Sequence, residues 1–465
     1  MAALSPAAPV QAGPVSRSWI PTAVGLAAAA FLALLFAVAP DRYAALLHLA
    51  GEMPEPMPFL DMSYILAAGE CAQRGIDVYA ANPCDPHQRV YDYSPFLLAL
   101  LPPGVSVAWS MAAGIATIIV FHVSLAWLPW PNTGRDRAVM IGAVLSTMTL
   151  YALERGQIDA LIFPVLVLAG AAMAQAQARR GLAYAALIFV GLLKFYPAAA
   201  LAVALRERRR TVLGVAAVGL ACFALFAALQ HDDILRGLAN RPQGFSFTDG
   251  FAAANLPEGM AVLVGPLADR YPALGPLLPW LPPALGLILV VRLLAQARRG
   301  ALRLLDGRAA LDAAVWGPLV IGAATVSGCF LAGFNIYFRG IHLLLALPGL
   351  MLLAEAAPRF PARAASLAIL FLMWSEAPGE AIIHLLPETG MPAPLVNLTH
   401  AFFWMIRELV WWRVIAVLVA VLFWAAAGSD LGRSVLDRLP PRLARALVPA
   451  PIDNPSPQVK QLERV

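Results

Sequence analysis

Residues 181–210 read GLAYAALIFVGLLKFYPAAALAVALRERRR. The apolar run over 182–205 is long enough to cross a bilayer. Yet arginines stand on both sides of it: Arg179 and Arg180 before, Arg206, Arg208, Arg209 and Arg210 after. Arginine collects on the cytoplasmic side of membrane spans, so one full crossing would strand one cluster outside. The middle of the run also carries Lys194, a cation that is expensive at membrane depth, and Pro197, which breaks a helix. A re-entrant hairpin from the cytoplasmic face resolves both conflicts, because irregular backbone at that depth is tolerated inside protein or beside a polar cavity. The alternative is a full crossing that breaks the arginine rule once.

Outward from this segment, apolar runs lie at 19–39, 104–128, 138–153, 158–178, 211–230, 273–296, 310–332, 341–357, 364–386 and 408–427. Alternation across the bilayer then places each arginine cluster inside. These runs predict an all-α polytopic membrane protein of about ten transmembrane helices plus the hairpin. Composition agrees. The 465 residues are 60% hydrophobic and 13% charged, against about 25% charged in soluble domains, and the mean hydropathy is +0.72. A barrel would alternate apolar and polar positions instead. A net charge of +5 would suggest nucleic acid in a soluble chain. Here the arginines lie between spans and read as topology signals, so no nucleic-acid partner is expected.

The domain reading is a disordered cytoplasmic N-terminus over 1–17, a membrane domain over 18–428 and a disordered cytoplasmic tail over 429–465. The first run is too long for a signal-peptide core and is read as a retained span. The setting is a bacterial inner membrane with both termini cytoplasmic. Polar segments then fall outside at 40–103, 154–157, 231–272, 333–340 and 376–407.

The first of these, 40–103, contains FLDMSYILAAGECAQRGIDVYAANPCDPHQRVYDYSPF at 59–96, with five acids, two cysteines and four tyrosines. Its SYILAAGECAQR stretch has apolar residues at helical spacing and predicts a short amphipathic helix on the membrane surface. Cys71 and Cys84 share the segment. In a periplasmic loop a disulfide between them is chemically allowed, and two free thiols are the alternative.

Asp61 precedes that helix near the membrane plane. A carboxylate there can take a proton from an acceptor hydroxyl. It can equally cap the helix, satisfying free backbone amides. Arg155 in LERGQIDAL, Lys194, and Arg339 in GFNIYFRGIHLL are three cations at membrane depth. Together they suit a lipid phosphate, although Arg155 can also pair with Glu154 or snorkel to the interface. Asp232, Asp233 and Asp249 can add charge, or belong to a solvated loop. His342, His384 and His400 show no zinc-like spacing. No cofactor is expected, and a divalent metal is left open. P-loop, GxGxxG and GxSxG patterns in usable context are absent, which argues against a nucleotide-driven pump or a serine hydrolase.

DMSYILAAGECAQRGIDVYAANP followed by YDYSPFLLALLP resembles the first outer loop of glycosyltransferase family 87, in the GT-C superfamily. ERGQIDALIFPVLVLAG resembles the family's Asn-Gly-Gln segment, with Arg155 in place of Asn. GLLKFYPAAAL is similar to its Lys-x-Tyr-Pro motif through Lys194, Tyr196 and Pro197. FNIYFRGIHLLLALPGL is similar to a late Tyr-x-Arg motif. Ser94 stands where the family has the first of two prolines. The resemblance implies a GT-C-type bundle and transfer of a mannose-like hexose from a polyprenyl-phosphate donor to a lipid or glycan acceptor outside the cytoplasm. It implies Asp61 as the base, with Tyr64, Arg155, Gln157, Lys194, Tyr196 and Arg339 around the substrates. The competing reading is a lipid or glycolipid transporter or flippase, for which intramembrane cations are equally natural. Transporters often repeat a broken helix in two halves, and only one broken segment is visible here.

Overall fold

The computed structural model describes residues 16–52, 57–241, 244, 247, 250–306 and 311–438. Eight helices among these are long and apolar enough to cross a membrane: Ile20–Val38, Val107–Trp127, Gly134–Glu154, Arg209–Leu229, Pro272–Asp306, Ala313–Ala332, Tyr337–Ala356 and Ala393–Gly428. A ninth forms if Ala362–Trp374 and Glu376–Glu388, bent by 44° at their junction, are taken as one span. The apolar run at 158–178 yields only the helix Ile158–Ala172, of 15 residues. That is roughly 22 Å long, short of a hydrocarbon core of about 30 Å. The count is therefore eight or nine among the described residues, where apolar runs alone suggest about ten.

The helices sort by burial. Tyr337–Ala356 and Ala313–Ala332 form the centre, with 89% and 78% of their apolar windows buried. Arg209–Leu229 and Pro272–Asp306 present almost bare apolar faces, including Leu220 and Leu225 on the first and Leu287 and Val291 on the second. Water-exposed apolar surface on that scale is not sustained by a soluble monomer. The chain is a multi-pass membrane protein. At the centre, close backbone approach replaces the hydrophobic drive that lipid removes. A β-carbon on Gly317 would collide with the Gly170 carbonyl oxygen, so glycine there lets Ala313–Ala332 lie directly on Ile158–Ala172.

The 181–210 segment turns back on itself. The helix Gln177–Lys194 ends at Phe195, whose φ of +36° reverses the chain. A 3₁₀ stretch, Tyr196–Arg206, returns along it. The two ends meet where Arg180 pairs with Glu207 and the Tyr184 hydroxyl donates to Glu207 at 3.0 Å. So long a 3₁₀ run is uncommon. Here it is alanine-rich and packs against Ala313–Ala332.

Three expectations change. The helix predicted at the start of the first polar segment exists, over Leu60–Gln73, but it does not lie on a surface. Every residue from Leu60 to Gly69 is buried. Ser63, Ala67, Ala68 and Gly69, which mimic a polar face in sequence, are small enough to be packed on all sides. The segment 376–407 is also not a loop, because the last span begins at Ala393 and runs for 36 residues. The tail read as unstructured from 429 begins with a helix, Asp430–Leu436, capped by Ser429. Asp430 accepts from the Arg209 amide at 3.0 Å. Residues 439–465 and 1–15 lie outside the described residues, as does Asp249.

Cys71 and Cys84 are joined by a disulfide with their α-carbons 5.8 Å apart. It ties the buried helix to the strand of chain that carries Arg89 and Asp92. Closing a loop of 13 residues restricts the unfolded chain by about 3 kcal/mol. Replacing both cysteines by alanine should lower the thermal unfolding midpoint in detergent. Reductant should then have no further effect on the variant.

Candidate functional site

The site is built around the sequence Glu154-Arg155-Gly156-Gln157-Ile158-Asp159. The helix Thr147–Glu154 ends at Arg155, and Gly156, at φ +63°, turns the chain into Ile158–Ala172. A β-carbon at Gly156 would sit 2.9 Å from that of Met62 and 3.2 Å from that of Phe59. Glycine is therefore required both by the dihedral and by the space. This tight turn docks on the start of the Leu60–Gln73 helix. The Phe59 amide donates to the Glu154 carbonyl at 2.8 Å, and the Asp61 amide to the Arg155 carbonyl at 2.9 Å.

That docking removes the capping reading of Asp61. The first-turn amides are met by backbone carbonyls, and no side chain caps the helix. The Asp61 carboxylate points elsewhere. Its Oδ2 accepts from Arg155 Nε at 2.7 Å and from Gln157 Nε2; its Oδ1 accepts from Arg155 Nη2 at 3.1 Å and Arg89 Nη1 at 3.3 Å. Arg89 is in turn gripped by Asp85, with Nε and Nη2 at 2.9 and 2.8 Å, and donates to the Leu60 carbonyl at 3.0 Å. Each oxygen of Asp61 thus carries two donors.

A second cluster lies beside it. Asp159 is fully buried and accepts from Lys194 Nζ and the Tyr196 hydroxyl. Tyr196 also lies 2.7 Å from His342 Nε2. Arg339 Nε stands 3.9 Å from Asp159 and makes no hydrogen bond, while Arg339 Nη1 donates to Asn335 Oδ1 at 2.6 Å. Lys194 sits over the rings of Tyr93 and Phe338, at 4.8 and 5.5 Å from their centres. The tip of the hairpin reaches the first polar segment directly, since Ser94 Oγ donates to the Leu192 carbonyl at 2.7 Å.

A cavity of about 420 Å³ opens between these clusters. Asp61, Tyr64, Arg155, Gln157, Lys194 and Arg339 all line it. Tyr196 does not; it stands behind, holding Asp159. Sequence reading missed Arg89, Asp92, Tyr93 and Arg241, which line the cavity too. Arg89 and Asp92 had a signal, since they share the polar segment with Asp61. Arg241 had none beyond its charge, because it arrives from a helix, His231–Ala239, whose sequence reads as a solvated loop. Five cations and two carboxylates face the cavity, a balance that suits an anionic ligand. Among the described residues, no three His, Cys, Asp or Glu side chains are placed to hold a metal ion.

A second, apolar cavity of about 580 Å³ lies on the other side of the docked turn. Phe31, Leu32, Phe36, Leu46 and Ile115 line it with Phe59 and Glu154, whose near neighbours in the chain, Asp61 and Arg155, line the polar cavity.

No family model, no curated protein and no solved structure matches this chain.

Proposed function

We propose that the protein is a GT-C-type membrane glycosyltransferase, acting on the periplasmic side of a bacterial inner membrane with both termini cytoplasmic. It would move a mannose-like hexose from a polyprenyl-phosphate donor to a lipid or glycan acceptor. One observation carries this reading: a polar cavity lined by five cations and two carboxylates lies across one tight turn of the chain from an apolar groove. A lipid-linked phosphate sugar needs both. The prenyl chain fits the apolar groove, and the phosphate and sugar fit the charged cavity.

The charge balance agrees with the chemistry. As the bond from the anomeric carbon to the phosphate oxygen breaks, the phosphate changes from a monoanion to a dianion. Fixed cations aimed at the growing charge lower the barrier. Arg241 and Arg339 face the cavity for this, with Arg155 committed to Asp61 and Lys194 to Asp159. Arg241 makes no hydrogen bond to another described side chain, so its guanidinium is free to grip phosphate.

The test is transfer by purified protein from radiolabelled polyprenyl-phosphate hexoses into a lipid extract of the source membranes. A labelled glycolipid is expected. Arg241→Met should weaken donor binding roughly tenfold or more, the worth of one charge-assisted hydrogen bond, without moving the unfolding midpoint. Donor that is bound but never transferred, and instead moved between the leaflets of proteoliposomes, would establish a flippase in place of a transferase.

A further inference from the structure

The cavity holds two carboxylates, and they differ in what their oxygens are doing. Asp61 has both oxygens filled by Arg155, Gln157 and Arg89. It can accept a proton only after a donor leaves. Asp92, on the same wall, is held by a single side chain. The Tyr64 hydroxyl lies 3.0 Å from Asp92 Oδ1 and accepts from the Asp92 amide at 2.8 Å. Asp92 Oδ2 makes no hydrogen bond to another described residue, and Asp92 lines the cavity.

We propose that Asp92, rather than Asp61, is the carboxylate that takes the proton from the acceptor hydroxyl. The inference rests on the transfer reading above and deepens it.

The hydrogen bonding around Tyr64 supports the assignment. Its hydroxyl has one proton and two acceptors in reach, Asp92 Oδ1 at 3.0 Å and the Val90 carbonyl at 2.7 Å. With Asp92 ionised, that proton serves the carboxylate. With Asp92 protonated at Oδ2, the oxygen left open, Oδ1 still accepts from Tyr64. Both protonation states are satisfied without moving a heavy atom, as a proton acceptor in a preorganised site requires. Asp61 has no such second arrangement. Burial also raises the Asp92 carboxyl above its ordinary value, opposed by the Tyr64 hydrogen bond and by Lys194, Arg241 and Arg339. The groups facing Asp92 are those four with Tyr79, Tyr91 and Tyr93.

The step balances. The acceptor O–H proton passes to Asp92, and the acceptor oxygen forms a bond to the anomeric carbon. The bond from that carbon to the phosphate oxygen breaks, and its electron pair leaves with polyprenyl phosphate. One negative charge moves from Asp92 to the leaving phosphate, towards the cations.

The experiment compares wild type, Asp92→Asn, Asp92→Glu and Tyr64→Phe in the transfer assay, with unfolding midpoint and binding of radiolabelled polyprenyl-phosphate hexose measured on each. Asp92→Asn should lower turnover by about a hundredfold or more while keeping the midpoint and donor binding. Asp92→Glu should recover part of the loss. Wild-type turnover should fall as pH drops through the raised carboxyl, and the residual rate of Asp92→Asn should lack that limb. Tyr64→Phe removes a bond that favours the ionised form, so it should move the limb to higher pH. The assignment is overturned if Asp92→Asn keeps more than a tenth of the turnover, loses donor binding in step with it, or retains the acid limb. Wild-type protein that transfers no hexose from any donor overturns the transferase reading itself, and the base with it.

Discussion

Asp159→Ala should destabilise the protein by about 3–5 kcal/mol, the range for removing one partner of a buried ion pair. Asp159 has no exposed surface, and its partner Lys194 is buried with it. Without the carboxylate, the ammonium keeps ring faces and the more distant Asp92, against the repulsion of Arg339 beside it. The comparison that gives the result meaning is the double variant Asp159→Leu with Lys194→Met. Replacing both charges by apolar groups removes the desolvation penalty together with the attraction, and is often neutral. Tyr196 then still has His342 as a partner at 2.7 Å. The double variant should unfold near the wild-type midpoint in detergent, yet bind donor poorly, because one cation of the cavity is gone. A double variant as unstable as Asp159→Ala would show that the pair has a structural role beyond mutual neutralisation.

Asp61→Asn should lower turnover roughly a hundredfold by a different route from Asp92→Asn. An amide in place of the carboxylate must present its NH₂ either to Arg155 Nε and Gln157 or to Arg155 Nη2 and Arg89. Either way two donors meet a donor, and Arg155 is driven off its position on the cavity wall. The unfolding midpoint should fall as well. The discriminating readout is the pH profile: Asp61→Asn should keep the acid limb that Asp92→Asn loses. A variant with more than half the wild-type turnover would show that Arg155 is held by its other contacts.

The membrane character and most span positions were legible in the sequence, because a long apolar run reports burial or lipid contact whatever surrounds it. The path of 181–210 was legible for a related reason: two arginine clusters, a lysine and a proline together conflict with a straight helix. Helix periodicity was less informative for Leu60–Gln73. Its serine, alanines and glycine look like a polar face in one dimension, whereas in three they are what allows close packing on every side. The site was legible as a set of residues and not as a set of pairs. Asp61, Arg155, Lys194 and Arg339 all carry a sequence signal as unusual charges in apolar surroundings. That Asp61 meets Arg155 and that Lys194 meets Asp159 depends on contacts between distant segments, which no local pattern encodes. Asp159 itself was overlooked because an acid in the first turn of a helix is an ordinary, favourable charge.

The Asp159–Lys194 pair also bears on how the chain is made. Asp159 precedes Lys194 by 35 positions in the chain, so the carboxylate emerges from the ribosome ahead of the cation that balances it. The helix is short for a span, and it gains its counter-charge only when the returning hairpin follows. A short helix carrying a buried acid gains little by entering the bilayer alone, so the ion pair favours entry of Ile158–Ala172 together with the hairpin.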